Sequence, residues 1–325
     1  MGLTNFPNGI SSFGIPIYGG GGVPTTQGNV YFVNYSTGSN SGPGNSPNNP
    51  WQTIEYAYEQ AVSGNDDVII LQGAATHVLS AMLDVTKSRV HFIGLDGTTG
   101  RMYGQNAKVS LTATSGATNI ATMRNLGVRN SFTNIKFINS STVTEGIYCV
   151  AEGGEYALYT SCEFYKDTDL DQTGAAELAM NGDSSQFINC TFGSLANAIV
   201  GSIIRPCVQL TAGIVDTAKV TRDALFDGCL FWRNAGATTN VFINAANATD
   251  VERTMTLRGC GFINNGAAAA TPAVAIRAAS TLTVGNIVLD PNCFAAKVTK
   301  VATATGILVS GAAVNSGAGI AVNAA

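Results

Sequence analysis

A six-residue pattern occurs five times between residues 132 and 262 and limits what that chain can fold into. The copies are Phe132-Thr-Asn-Ile-Lys-Phe137, Tyr159-Thr-Ser-Cys-Glu-Phe164, Phe187-Ile-Asn-Cys-Thr-Phe192, Phe226-Asp-Gly-Cys-Leu-Phe231 and Leu257-Arg-Gly-Cys-Gly-Phe262. Successive copies start 27, 28, 39 and 31 residues apart. A strand alternates its side chains between two faces, and the Asn, Ser or Gly at the third place is a residue type that bends a chain. The pattern predicts one bent strand per coil, at the spacing of a solenoid rather than a sandwich. Stacked coils set like over like. Ile135, Cys162, Cys190, Cys229 and Cys260 are therefore expected in one interior column, and the closing Phe residues in a second. A sixth, altered copy lies at Leu289 to Phe294 and contains Cys293. The longest interval predicts an outgrowth around residues 196–222. At ~4.8 Å per coil, roughly nine coils would make a rod ~40 Å tall.

Ahead of the repeat, residues 29–33 read as a strand and 36–50 as a polar loop. Residues 51–62 read as a short amphipathic helix, with Ile54, Tyr58 and Ala61 on one face and Gly64 and Asn65 ending it. Val68 to Leu71 and Val90 to Ile93 read as buried strands. Residues 1–28 hold Pro7, Pro16, Pro24 and the run Gly19 to Gly22. They read as an extended arm whose Phe6, Ile10, Phe13, Ile15, Ile17 and Tyr18 need a partner surface, such as a neighbouring subunit. Residues 295–325 form a small-residue tail, read as a cap or a segment that pairs with another chain.

Charged residues make up 12% of the chain and the net charge is −4. So few charges suit a surface partly buried against other subunits. No basic stripe exists for nucleic acid, and no stretch is long enough to span a membrane. The start of the chain carries no secretory pattern, which leads to an expectation of assembly in a cytoplasm. Seven cysteines without a C-x-x-C pair, with only His77 and His91 to assist, suggest neither a disulfide scaffold nor a zinc site. Cys149 and Cys207 fall outside the repeat column and are the better candidates for an intermolecular bridge. Asp167, Asp169 and Asp171, with Glu177 nearby, are the weak metal candidates, since alternating Asp residues suit an oxygen-rich cation site. Gln172 and Leu178 depart from the calcium-loop pattern, so the segment reads first as a solvated turn. Asp66-Asp67 also reads as a turn. Arg205, Arg222, Arg233, Arg253, Arg258 and Arg277 are scattered, and no spacing places one beside a carboxylate. Trp51 reads as part of the cap; Trp232 follows the Phe column, faces outward and is a possible sugar-stacking residue. No nucleophile motif, phosphate loop or cofactor signature is present.

The Phe-x-Asn-Cys-x-Phe repeat resembles the coil repeat of pectate-lyase-like right-handed parallel β-helices. The segments YFV, GSNSGPGNSPNNPWQTIEYAYEQA, DDVIIL and RVHFIG are similar to the way many such proteins begin. The resemblance covers about residues 29–294. It implies an all-β right-handed parallel β-helix whose short helix caps the N-terminal end, with an arm at 1–28 and a tail at 295–325. The opening MGLTNFPNGISSFGIP resembles the starts of phage structural proteins. Together these imply a non-enzymatic virion protein, a homotrimeric decoration or cement protein bound to the major capsid protein or another virion protein. The second expectation is a tailspike or depolymerase that binds or cleaves a host surface polysaccharide.

Overall fold

The computed structural model describes residues 10–12, 15–17, 26 and 28–309, apart from 74, 96–102, 113–119, 142–146, 168–173, 200–203, 212–214, 216–218, 268–269 and 303–305. The chain winds as a right-handed parallel β-helix with three sheets. The first sheet has ten strands in unbroken parallel order, from Val30–Val33 and Asp67–Gln72 to Gly285–Leu289 and Ile307–Val309. The second sheet has eight strands, from His77–Leu79 to Phe294–Ala296, and the third has eight, from Leu83–Val85 to Lys300–Ala302. Eight coils contribute one strand to each sheet, and Val30–Val33 and Ile307–Val309 extend the first sheet at its two ends. Strands 300–302 and 307–309 continue the coil beyond residue 294.

The repeat places its first residue on the first sheet and its last on the second, with the bend between them. Asn134, Ser161, Asn189, Gly228 and Gly259 stand at that bend with φ between 51° and 62°. An L-residue in this left-handed region costs ~1–2 kcal/mol, least for Asn and nothing for Gly. The bend is supported by bonds between coils: the amides of Asn134, Ser161, Asn189 and Gly228 donate to carbonyls of Thr160, Ile188, Asp227 and Arg258. It also turns the strand so that the residues on both sides of it point inward. The first residues stack as a ladder, Phe92, Phe132, Tyr159, Phe187 and Phe226, with centroids 4.6–5.2 Å apart. The last residues, Phe137, Phe164, Phe192, Phe231 and Phe262, form a second ladder 4.6–5.8 Å apart. Ile135, Cys162, Cys190, Cys229 and Cys260 lie between the ladders, one per coil, all buried. Each of the four thiols donates to a carbonyl one coil back, such as Cys162 to Phe132 at 3.3 Å and Cys229 to Phe187 at 3.2 Å. All seven cysteines are reduced. Cys293 sits against Cys260, but one extra residue after Leu289 shifts the register, so Phe294 lies opposite Gly261 and Ala295 takes the ladder position.

A second bend of the same kind leads from the third sheet to the first. Asp66, Arg89, Arg129, Tyr156, Ser184, Asp223 and Arg253 occupy it with φ between 47° and 63°. The side chains there follow no single residue type, running from Asp and Arg to Tyr and Ser. The backbone is held by the next coil instead, as in Arg129 to Glu155 at 2.7 Å and Ser184 to Arg222 at 2.7 Å.

The helix spans Ile54–Gln60, shorter than the 51–62 expected. Thr53 caps it by accepting from the Tyr56 amide. Ile54, Ala57 and Tyr58 are buried against the first coils, and Tyr58 continues the aromatic ladder over Phe92. Trp51 packs on Tyr31 and Tyr56 and donates to the Gly42 carbonyl at 2.8 Å. In the arm, Ile10–Ser12 pairs antiparallel with Ile15–Ile17; Phe6, Phe13 and Tyr18 lie outside the described residues, as do residues 310–325.

Candidate functional site

The site arises from one irregularity in the second sheet. Where this sheet turns toward the third, successive coils supply Asn139, Lys166, Arg233 and Asn264. Between the coils of Lys166 and Arg233 runs the strand Thr191–Ala198. It pairs up to Gly193, opposite Trp232, and resumes at Ala198, opposite Asn234, so it bulges out by three residues. Gly193 has φ +93°, and a Cβ there would lie 2.1 Å from the Trp232 carbonyl and 3.2 Å from an Arg233 nitrogen. Only glycine lets the strand leave at this point. The bulge carries the strand out of the sheet at this level, and a cavity of about 320 Å³ opens, lined by Lys166, Asp167, Glu177, Asn197, Arg205 and Arg233 among others.

The third sheet forms the other wall. Its register sets Cys149, Glu177 and Cys207 one above another. Arg233 donates to both oxygens of Glu177 at 3.0 and 2.6 Å, and both side chains are only 3% exposed. Such a two-bonded pair compensates a buried charge that would otherwise be expelled. Lys166 donates to Asn139 Oδ1 at 3.1 Å, and burial lowers its ammonium to about 8. Burial pushes the Cys149 and Cys207 thiols up, so neither is a thiolate nucleophile. Asp167 is exposed at the mouth and accepts from Ser140 at 2.6 Å. Three cationic side chains thus face one internal carboxylate. The arrangement suits an incoming carboxylate or other anion, and offers an amine that is partly neutral near pH 8.

A second buried carboxylate lies away from the cavity, inside the bend between the third and first sheets. Glu152 is fully buried and accepts from Tyr159 Oη at 2.5 Å, from the Gly154 amide at 2.7 Å and from Asn125 at 2.9 Å. Burial, opposed by these bonds, pushes its carboxyl up to about 7.

Several sequence expectations change. Asp169 and Asp171 lie outside the described residues, and Asp167 belongs to the cavity mouth. Among the described residues no group of three His, Cys, Asp or Glu is placed to hold a metal ion. Four of those six arginines do stand beside carboxylates, because the coils bring together residues far apart in sequence. Arg233 meets Glu177; Arg222 meets Asp183 and Glu252; Arg253 pairs with Asp223 and Arg258 with Asp227, and outside the six Arg89 pairs with Asp66 and Arg124 with Asp84. Asp67 is a buried strand residue, not an open turn. Its carboxylate accepts from the amides of Asn29 and Val62. Cys149 and Cys207 are fully buried, so neither presents a sulfur to another chain. His77 is buried against the Gln72 carbonyl at 2.9 Å. The cluster of Lys166, Glu177, Arg205 and Arg233 has no local sequence signal. Glu177 and Arg233 are 56 residues apart and meet only through the stacking of coils.

No family model matches the sequence, and no curated protein sequence matches it. Solved structures do. A pectate lyase is 13% identical, matched over 82% of this chain and 62% of its own length, with a TM-score of 0.57. A rhamnogalacturonan lyase is 14% identical over 82% of this chain and 68% of its own, with a TM-score of 0.59. A pectin methylesterase from Erwinia chrysanthemi is 12% identical over 90% and 92%, with a TM-score of 0.51. The chain spans less than two thirds of the pectate lyase's length. All three are enzymes, and this overturns the expectation of a chain without enzymatic activity. The decoration, capsid and trimer expectations draw no support from these structures. At such identities the likeness is one of fold: the chain shares the right-handed parallel β-helix of a pectate lyase, a rhamnogalacturonan lyase and a pectin methylesterase.

Proposed function

We propose that this protein binds and cleaves an acidic polysaccharide, with a sugar carboxylate entering the cavity beneath the bulge. The observation that carries the reading is the buried set Lys166, Arg205, Arg233 and Glu177. The carboxylate of a uronate sugar acidifies the proton on the carbon beside it. Lys166, whose ammonium burial lowers to about 8, accepts that proton as a general base in its neutral form. Arg205 and Arg233 stabilise the negative charge that develops on the carboxylate oxygens. The C–O bond at the next carbon breaks, leaving an unsaturated sugar, and the departing oxygen takes a proton from water at the mouth. The fold it shares with polysaccharide-acting enzymes supports this reading. The resemblance of the first residues to phage structural proteins supports a depolymerase carried on a virion and acting on a host surface polysaccharide.

The test is incubation with polygalacturonate, polymannuronate and a neutral glucan, following chain length and the ultraviolet absorbance of the new double bond. Acidic chains should shorten at a rate that rises with pH through about 8, as Lys166 loses its proton. Lys166→Met should abolish the rate. Failure to bind or shorten any acidic chain rejects the proposal.

A further inference from the structure

Outside the cavity, the second sheet presents an aromatic surface that the interior does not require. Phe231 and Arg233 point inward and are buried, so the strand alternation turns Trp232 outward, where it is half-buried. Tyr103 comes from the long connection before Lys108–Leu111 and lays its ring 5.1 Å from the Trp232 ring. Tyr103 is 56% exposed. An aromatic side chain this open gains little from packing, yet its position is held. The Gly104 amide donates to Glu163 at 2.9 Å, and the Gln105 side chain donates to the Ser161 carbonyl at 2.7 Å. The Trp232 indole N–H is shielded from solvent and has no acceptor. A shielded donor without a partner costs stability, so this ring is held in place at some expense.

This surface adjoins the cavity. Trp232 pairs with Gly193, where the bulge begins, and Arg233 is the next residue. Tyr165 stands on the same face on the far side of Gly193. Its hydroxyl accepts from Asn197, which lines the cavity. Two coils separate Tyr165 from Trp232, on the order of 10 Å, and Gly193 puts no side chain between them. The bulge that forms the far rim is tied down by Asn234 to the Ala196 carbonyl at 3.3 Å and by Asn265 to the Leu195 carbonyl at 3.1 Å.

A pyranose ring has an apolar C–H face and a rim of hydroxyls. The C–H face is what the open Tyr103 ring and the half-buried Trp232 ring lack, an apolar partner to lie against them. We propose that Tyr103 and Trp232 form a sugar-stacking subsite, which holds the residue of the polysaccharide next to the one whose carboxylate enters the cavity. The inference rests on the proposed function of that cavity. The subsite reads the ring face and not the charge, so it should accept neutral and acidic sugars alike and leave discrimination to the cavity.

The experiment uses the full chain with two probes, hexagalacturonate and its fully methyl-esterified form, measured by calorimetry and by tryptophan emission. Trp51 is buried in the cap with its N–H satisfied, so an emission change on binding reports Trp232. Trp232→Ala should weaken hexagalacturonate about ten-fold and Tyr103→Ala several-fold, while Trp232→Phe keeps most of the affinity. The emission change should vanish in Trp232→Ala. Unaltered melting of both alanine variants shows that the effect is not loss of the fold. Undiminished affinity in Trp232→Ala, with affinity lost in Lys166→Met, overturns the subsite and leaves the cavity standing. Binding of both probes that needs Trp232 and ignores Lys166→Met overturns the cavity reading and keeps the subsite. Absence of binding to either probe overturns both.

Discussion

Replacing Glu152 by Gln should make the protein relatively more stable as the pH rises, by an amount the structure allows one to work out. Glu152 is fully buried, with donors from Tyr159, Asn125 and Gly154 and no cation bonded to it. Burial raises its carboxyl from 4.5 to about 7. The folded chain therefore holds this proton to higher pH than the unfolded chain does. Between about pH 4.5 and 7 the folded state binds more protons, so its stability falls as the pH rises, and the loss is complete above 7. At 1.36 kcal/mol per pKa unit the fall is about 3 kcal/mol. The amide of Glu152→Gln has no proton to release. Its hydrogen bonds fit less well, because Asn125 and Gly154 both donate toward this side chain, but that cost is the same at every pH. Other titrating groups cancel between the two proteins. Equilibrium urea unfolding at pH 4, 6 and 8, run on both, should show the stability difference moving by about 3 kcal/mol in favour of the variant. A difference that stays flat across that range would show that Glu152 is ionised throughout and would refute the assignment.

Arg233→Met should destabilise the fold by about 3–5 kcal/mol, because it leaves Glu177 buried without its guanidinium; adding Glu177→Leu should restore most of the loss. Thermal unfolding of the single and double variants reads this directly, and a double variant as unstable as the single one contradicts the pairing. At the bend, Asn189 has φ 51°, so Asn189→Ala should cost about 1–2 kcal/mol and Asn189→Gly close to none. Denaturant midpoints that fall equally for both would mean that the side chain, and not the backbone, matters there.

The fold was legible because the solenoid repeats its chemistry. Phe187, Asn189, Cys190 and Phe192 announce a strand, a bend and two inward positions within six letters, and the neighbouring copies repeat them. The capping helix was legible from Trp51, Ile54 and Tyr58, though Thr53 sets its start later than expected. The second bend was not legible. Arg89, Arg129, Tyr156 and Ser184 follow no single residue type, since their conformation is imposed by amides and carbonyls of adjacent coils. The cavity was not legible for a related reason: Lys166, Glu177, Arg205 and Arg233 lie on separate strands and loops that no local spacing brings together.

Sequence by itself determined the coil, because an inward-facing pattern with a period of one turn can be buried only by stacking turn on turn. It did not determine what meets at one level of the stack. Lys166, Glu177, Arg205 and Arg233 come together because the coils between them have particular lengths, and because Gly193 lets one strand leave the sheet and open the space they face. Coil length is set by loops that carry no repeat, so the neighbours across coils, and with them the charge that a ligand meets, were decided only in three dimensions.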